Sequence, residues 1–228
     1  MGGAVRPAAE RGRHVAGDPP PRLDAQKKTL AASERDEEAR SAWREAVARI
    51  DPQRFVFVDE TGTHTALTRL YGWAPHDRRA TGSVPRNRGR NTTLVAALTP
   101  EGLREPWLLE GAMDTAAFDW YIREQLGPTL RPGQIVVLDN LSVHKAERIR
   151  QALEACQCTL LFLPPYSPDC TPIEQAFSKL KALLRGLGAR THEALWEAVR
   201  VALEAITPAD AIAWFAHAGY VLPAPPNR

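Results

Sequence analysis

Three prolines within five residues, Pro164, Pro165 and Pro168, constrain this chain more than any other feature. They forbid helix and ladder pairing between the apolar run Leu160 to Leu163, which reads as a short buried strand, and Thr171. The loop between them is therefore stiff. Thr171-Pro172-Ile173-Glu174 then has the form of a helix start, with threonine as N-cap and proline at the first helical position. Ile173, Phe177, Leu180, Leu184 and Leu187 recur at helical spacing and predict the buried stripe, while Glu174, Ser178, Lys181 and Arg185 share a polar face. The segment thus carries one acid, Glu174, to a fixed place beside a strand end. T-x-x-E is also the capping-box pattern, in which the glutamate does no more than bond to the backbone.

Other strands end in acids as well. Arg54 to Asp59, RFVFVD, is a continuous β-branched and aromatic run suited to the middle of a sheet, and it stops at Asp59-Glu60-Thr61-Gly62. Ile135 to Leu138, IVVL, is followed by Asp139-Asn140. An acid at the end of a buried strand is costly unless it is paired, metal-bound or at a cleft. Each also has a local alternative, with Asp59 capping a turn and Asp139 capping the next helix.

The remaining elements follow from pattern. Ser33 to Ile50 is helix-forming, with Ala39, Trp43, Ala46, Val47 and Ile50 on a narrow apolar stripe before Asp51-Pro52. Segments at Tyr71-Gly72-Trp73, Thr92 to Leu98 and Pro106 to Leu109 read as strands of an antiparallel meander. Asp114 caps a helix reaching Leu126, Ser142 to Cys156 is a second, and Thr191 to Ile206 and Pro208 to His217 follow the Glu174 helix. Antiparallel strands, then helix, strand, helix, strand, helix is the ribonuclease H order. The fold class expected is α/β, a ribonuclease H-like mixed five-stranded sheet flanked by helices, with extra C-terminal helices. It spans residues 29–222, between a disordered basic arm at 1–28 and a tail at 223–228. The arm has six basic residues against three acidic ones, and Pro19-Pro20-Pro21 without apolar periodicity.

Composition narrows the class. At 228 residues and 44% hydrophobic, one substantial core is available. No run nears the roughly eighteen apolar residues of a membrane span, and the N-terminus lacks the apolar core of a secretion signal, so a cytoplasmic, nucleoid-associated protein is expected. Cys156, Cys158 and Cys170 show no C-x-x-C spacing and read as free thiols. A net charge of +2 names no partner by itself, but its distribution does. Arg78, Arg79, Arg86, Arg88 and Arg90 lie within thirteen residues, and a basic loop near an acidic site suggests contact with a phosphate backbone. A solvated loop is the plain alternative. Lys179, Lys181 and Arg185 extend a basic track past Glu174, unless they are only a solvated helix face.

If the strands before Asp59 and Asp139 are neighbours, the two carboxylates are adjacent and the following helix can bring Glu174 to face them. Three such groups cannot all ionise without a counter-charge, and hard oxygen ligands suit Mg2+ or Mn2+, often as two ions about 4 Å apart in phosphoryl-transfer sites. Asn140 and His144 follow at helix-start spacing and could orient a water or meet a phosphate near the helix N-terminus. A cap and a surface residue are the alternatives.

The blocks Phe57-Val58-Asp59-Glu60-Thr61-Gly62, Val137 to Lys145, and Leu163 to Asp169 with Pro172-Ile173-Glu174 resemble the catalytic motifs of bacterial insertion-sequence transposases of the mariner superfamily. Thirty-four residues separate Asp139 from Glu174, the spacing of that Asp-Asp-Glu branch, and the likeness runs from about Lys28 to Leu222. It implies a ribonuclease H-like fold, two divalent metals held by Asp59, Asp139 and Glu174, cleavage at transposon ends, and joining of the freed 3′ hydroxyl to target DNA. Inverted-repeat ends and target DNA are the implied partners, with a homodimer assembled on DNA. Family members usually begin with helix-turn-helix modules, and residues 1–50 show none, so a separately encoded DNA-reading portion, or a decayed copy, is expected. Cys170-Thr171 also stands where the family tends to place asparagine before Pro-Ile-Glu. The competing functions are a ribonuclease H-like nuclease that does not join strands and an inactive or domesticated DNA-binding remnant.

Overall fold

In the computed structural model, residues 32–87 and 91–222 are described; the basic arm 1–28, the tail 223–228, Arg88 and Arg90 lie outside them. The elements run α1 (Glu37–Val47), β1 (Phe55–Thr63), β2 (Thr92–Thr99), β3 (Gly102–Glu110), α2 (Thr115–Trp120), β4 (Ile135–Leu138), α3 (Glu147–Ala155), β5 (Thr159–Phe162), α4 (Ile173–Leu187), α5 (His192–Glu204) and α6 (Pro208–His217). The sheet order is β3-β2-β1-β4-β5, antiparallel from β3 to β1 and parallel from β1 to β5. This is the ribonuclease H-like arrangement expected, with α5 and α6 as the additional helices. No helix among the described residues is long and apolar enough to cross a membrane.

The two-residue period of the central strands sorts their side chains onto two cores. Phe55, Phe57, Leu94, Ala96, Leu98, Ile135 and Val137 pack with α4, α5 and α6. Val56, Val58, Val95, Ala97, Val136 and Leu138 pack on the other face with α2, α3 and the wide helical turn Tyr121–Leu126 that prolongs α2. Both faces of β1 are buried, which is why its sequence is continuously apolar rather than alternating. At about 1.5–3 kcal/mol per fully buried large apolar side chain, these strands anchor the molecule.

Four elements differ from expectation. The chain at Tyr71-Gly72-Trp73 forms no strand; Tyr71 and Trp73 stand 91% and 104% exposed in the long connection from β1 to β2. Aromatic composition suggested pairing, but the segment joins no strand of the sheet. β1 runs past Asp59 to Thr63, because β2 continues to pair with it through Thr63↔Thr92 after β4 has ended. The expected helix from Ser142 is interrupted: a single tight turn, Ser142–Lys145, is followed by extended backbone at Ala146 (ψ 132°), and α3 begins at Glu147. α4 begins after Pro172, with no side-chain cap from Thr171, and Leu187 is 50% exposed where the chain leaves the helix at left-handed Gly188.

The loop before α4 is held from outside the sheet. Arg40 of α1, fully buried, makes a two-pronged ion pair with Asp169, Nη1 to Oδ1 at 2.9 Å and Nη2 to Oδ2 at 2.6 Å. Next to it the Tyr220 hydroxyl donates to the Cys170 carbonyl (2.8 Å) and accepts from Trp43 Nε1 (3.1 Å). The proline segment is thereby fixed between β5 and α4.

Candidate active site

Strand register brings the two aspartates together. Phe57 is level with Val137 in the parallel β1–β4 pair, so continuing that register by two residues puts Asp59 abreast of Asp139. Both follow Phe57 and Val137 by two and so fall on the face that carries α4. Glu174, in the first turn of α4, is exposed there. Asp59, Asp139 and Glu174 line one cavity of about 120 Å3, walled by Asn140, Pro164, Tyr166 and Thr171. Each acid thus has an open side, and Glu174 makes no capping bond.

Their electrostatics differ. Burial raises Asp59 to about 7, and Glu60, Glu174 and Asp139 push it in the same direction, against one hydrogen bond from the Glu60 amide (2.8 Å). Burial also raises Asp139, but hydrogen bonds from His144 Nδ1 (2.6 Å) and the Leu141 amide (3.0 Å) outweigh it and hold the carboxyl below its usual range. Burial lowers His144, yet its contacts with Asp139 and Glu60 prevail and lift it to about 9. The imidazolium is thus a positive charge built against the cluster from beneath, and Lys145 adds a weaker one.

The structure brings together Asp59, Asp139, Glu174 and Asn140 and sets other expected residues apart. Asn140 Nδ2 donates to the Leu163 carbonyl (3.1 Å), tying the ends of β4 and β5. His144 neither starts a helix nor faces the cavity: it is fully buried, its ring against Phe118 with centroids 4.2 Å apart. Lys179 is turned to α6, its Nζ 2.6 Å from Asp210 Oδ2, so it does not extend a basic track. Lys181 and Arg185 stay partly exposed on α4, and Arg78, Arg79 and Arg86 are exposed on the β1–β2 connection. Cys156, Cys158 and Cys170 are free thiols.

Glu60 and the Arg40–Asp169 pair carry structure that the sequence reading did not assign. For Glu60 a signal existed, since two-residue alternation sends it to the face opposite Asp59. For Arg40, 129 residues from its partner, none did. Tyr166, at the cavity wall, has φ 51°, a left-handed conformation that is uncommon for an aromatic residue. A larger cavity of about 490 Å3 lies at the opposite end of the sheet, near Gln53, Thr99 and Gln134, and contains none of the three acids.

Among the described residues, no three His, Cys, Asp or Glu side chains close around a single point as in a structural metal cage. A cage is not what Mg2+ requires. That ion keeps several waters and takes one or two carboxylates plus substrate oxygens. Oxygen donors, an open cavity and an aspartate whose ionised form is disfavoured by burial first and by neighbouring negative charge second fit such an ion.

Residues 54–195 match the family model described as DDE superfamily endonuclease. Among solved structures, the mariner Mos1 paired end complex with Mg is similar with a TM-score of 0.69 and 18% identity, covering 88% of this chain and 64% of that chain. The Mos1 strand transfer complex gives 0.66 and 19%, covering 87% and 63%. The Mos1 transposase catalytic domain with raltegravir and Mg gives 0.61 and 19%, covering 84% and 92%. At such identities the likeness is one of fold, and this chain spans about 64% of the length of the chain in the paired end complex. No curated protein matches it.

Proposed function

We propose, from the premise that this chain belongs to the DDE superfamily endonucleases, that it is the catalytic domain of a transposase: it cleaves phosphodiesters at transposon ends and transfers the freed strand into target DNA. The observation that carries this reading is the shared cavity of Asp59, Asp139 and Glu174, with two acids abreast on neighbouring strands and the third on a helix packed over them.

Asp59 and Asp139 would flank a pair of Mg2+ or Mn2+ ions, with Glu174 on the second. When bound, such ions polarise the scissile phosphate and favour ionisation of the attacking water or 3′ hydroxyl. The residues prepare this differently. The His144 hydrogen bond favours the ionised form of Asp139, whereas Asp59, raised to about 7 chiefly by burial, would ionise more readily beside a bound cation. Asn140 keeps the β4 and β5 ends at a fixed separation, and the Arg40–Asp169 pair holds the loop that delivers Glu174. Exposed Arg78, Arg79 and Arg86, with Arg88 and Arg90 of the same loop, would meet the DNA backbone, and Lys181 and Arg185 would follow it along α4. Inverted-repeat ends and target DNA are the substrates under this reading. A homodimer forms on them.

Asp139→Asn tests the assignment. Magnesium-dependent nicking of a transposon-end duplex should fall by at least 1,000-fold, on the order seen when an essential catalytic group is removed, with the circular dichroism spectrum unchanged; retained nicking would remove Asp139 from the chemistry. A strand-transfer assay with a pre-cut end separates the transposase from a nuclease that only hydrolyses. DNA binding in chelator without cleavage at any Mg2+ or Mn2+ concentration would instead identify a DNA-binding remnant.

A further inference from the structure

We infer that Glu60 and His144 are a positioning pair that fixes Asp139 from behind, so that one oxygen of that carboxylate is occupied by protein and the other is left for the cavity. The inference rests on the metal-binding reading of Asp139 above. Both protein hydrogen bonds to the Asp139 side chain, from His144 Nδ1 at 2.6 Å and from the Leu141 amide at 3.0 Å, converge on Oδ1. Oδ2 is the oxygen left to face outward. The other ring nitrogen of His144, Nε2, lies 3.4 Å from Glu60 Oε2, and both atoms are buried with no aligned hydrogen bond of their own. Phe118 backs the ring.

The backbone accounts for this arrangement. Asp59 and Glu60 are consecutive on β1, and strand alternation sends Asp59 to the α4 face and Glu60 to the α2–α3 face. The tight turn Ser142–Lys145, closed by the His144 amide on the Leu141 carbonyl (3.2 Å), places the ring between Glu60 and Asp139. An uninterrupted α-helix from Ser142 would carry residue 144 on a different path. A carboxylate lies on each side of the imidazole, so each ring nitrogen is directed at an acceptor. Rotating Asp139 would leave Nδ1 of a buried imidazole without its acceptor, which resists that rotation. Partners behind a metal-ligating group commonly set metal affinity by 10–100-fold. His144 and Glu60 are positioning residues and touch no reacting atom.

The test uses Mn2+ alone, titrated calorimetrically into the metal-free full chain. Glu60→Gln should weaken Mn2+ binding about 10-fold and His144→Leu by about 10–100-fold. His144→Asn, whose side-chain amide can stand where Nδ1 stands, should recover affinity to within about 3-fold of the parent. Equal losses for His144→Asn and His144→Leu that track melting temperature, or no loss in Glu60→Gln, would overturn the inference. Should these variants not fold, the parent protein still decides the matter: Mg2+ addition should shift the His144 ring nitrogens in its NMR spectrum, and an unmoved ring would overturn it. Asp139→Asn separates the two levels of argument. If that variant binds Mn2+ like the parent, or the parent binds none, the metal-binding reading itself falls and this inference falls with it.

Discussion

Asp59 is the member of the acidic cluster whose environment disfavours its ionised form. An ordinary aspartate ionises near 3.8, but burial first, then Glu60, Glu174 and Asp139, raise this one to about 7. Between those values the folded state binds a proton that the unfolded state has released, so stability falls as pH rises from about 4 to about 7. We predict that the metal-free chain shows this decline in urea titrations at successive pH values, that Asp59→Asn flattens it, and that Mn2+ opposes it. A slope unchanged by Asp59→Asn would mean that other groups produce it. His144 acts over a different window. Its raised value stabilises the fold fully below about 6.5 and loses that contribution as pH passes about 9. At this scale the sequence was informative about identity and poor about partners. Asp59, Asp139 and Glu174 were legible because each follows a run that cannot be solvent-facing. His144 was not, since the tight turn that buries it looks in sequence like the first turn of a helix, and Lys179 was not, since its partner Asp210 lies on a later helix.

Among the elements, α4 and the loop before it are where stability and site geometry meet. Arg40, Tyr220 and Trp43 converge on Asp169 and Cys170, a few residues before Glu174, and they come from α1 and from beyond α6. Asp169 is half-exposed, so solvent reduces the worth of its ion pair, while Arg40 is fully buried and, of its carboxylate contacts, would keep only that of Nε with Glu37 (3.3 Å). Asp169→Asn should therefore cost about 1–3 kcal/mol in chemical denaturation and weaken Mn2+ binding through Glu174. Unchanged stability would show that the pair only marks the loop's path. The Lys179–Asp210 bridge between α4 and α6 is a contrasting case: the Lys179 ammonium first, then the Thr207 amide and hydroxyl, lower Asp210 to about 2, yet both side chains reach solvent. Lys179→Ala should cost no more than about 1 kcal/mol by the same measurement. Strand and helix existence could be read from the continuous apolar runs of β1 and β4 and from the helical period of α4, because burial enforces both. The starts of α2, α5 and α6 could be read too, at Asp114, Thr191 and Pro208; that of α4 could not, since Pro172 rather than Thr171 precedes the helix and no side chain caps it. Tyr71-Gly72-Trp73 had the composition of a strand without an edge to pair with.

For the whole molecule, the sheet order makes the site and the β1–β2 connection parts of one end of the structure. β1 continues past Asp59 and, paired only with β2, opens into the connection that carries Arg78, Arg79 and Arg86. If those arginines neutralise phosphates, replacing all three by alanine should flatten the dependence of log K on log salt by up to about 0.9 per lost contact, about 2–3 in total, for any duplex sequence. An unaltered slope would place the DNA elsewhere. The antiparallel-then-parallel order was predictable because no helix intervenes between the first three strands, and a helix between the later ones implies a parallel crossover. What sequence could not supply at this scale was the path of the long connection after Leu67, where the side chains from 71 to 87 are mostly exposed.

The central claim is that residues 59, 139 and 174 serve a common cation site, and anomalous diffraction from crystals of the chain soaked in Mn2+ tests it most directly. The account predicts manganese density in the cavity within coordinating distance of Asp59 and Asp139, with Glu174 on the same or a neighbouring ion, and its loss in Asp139→Asn. Manganese bound elsewhere on the chain, with this cavity holding only water, would contradict it.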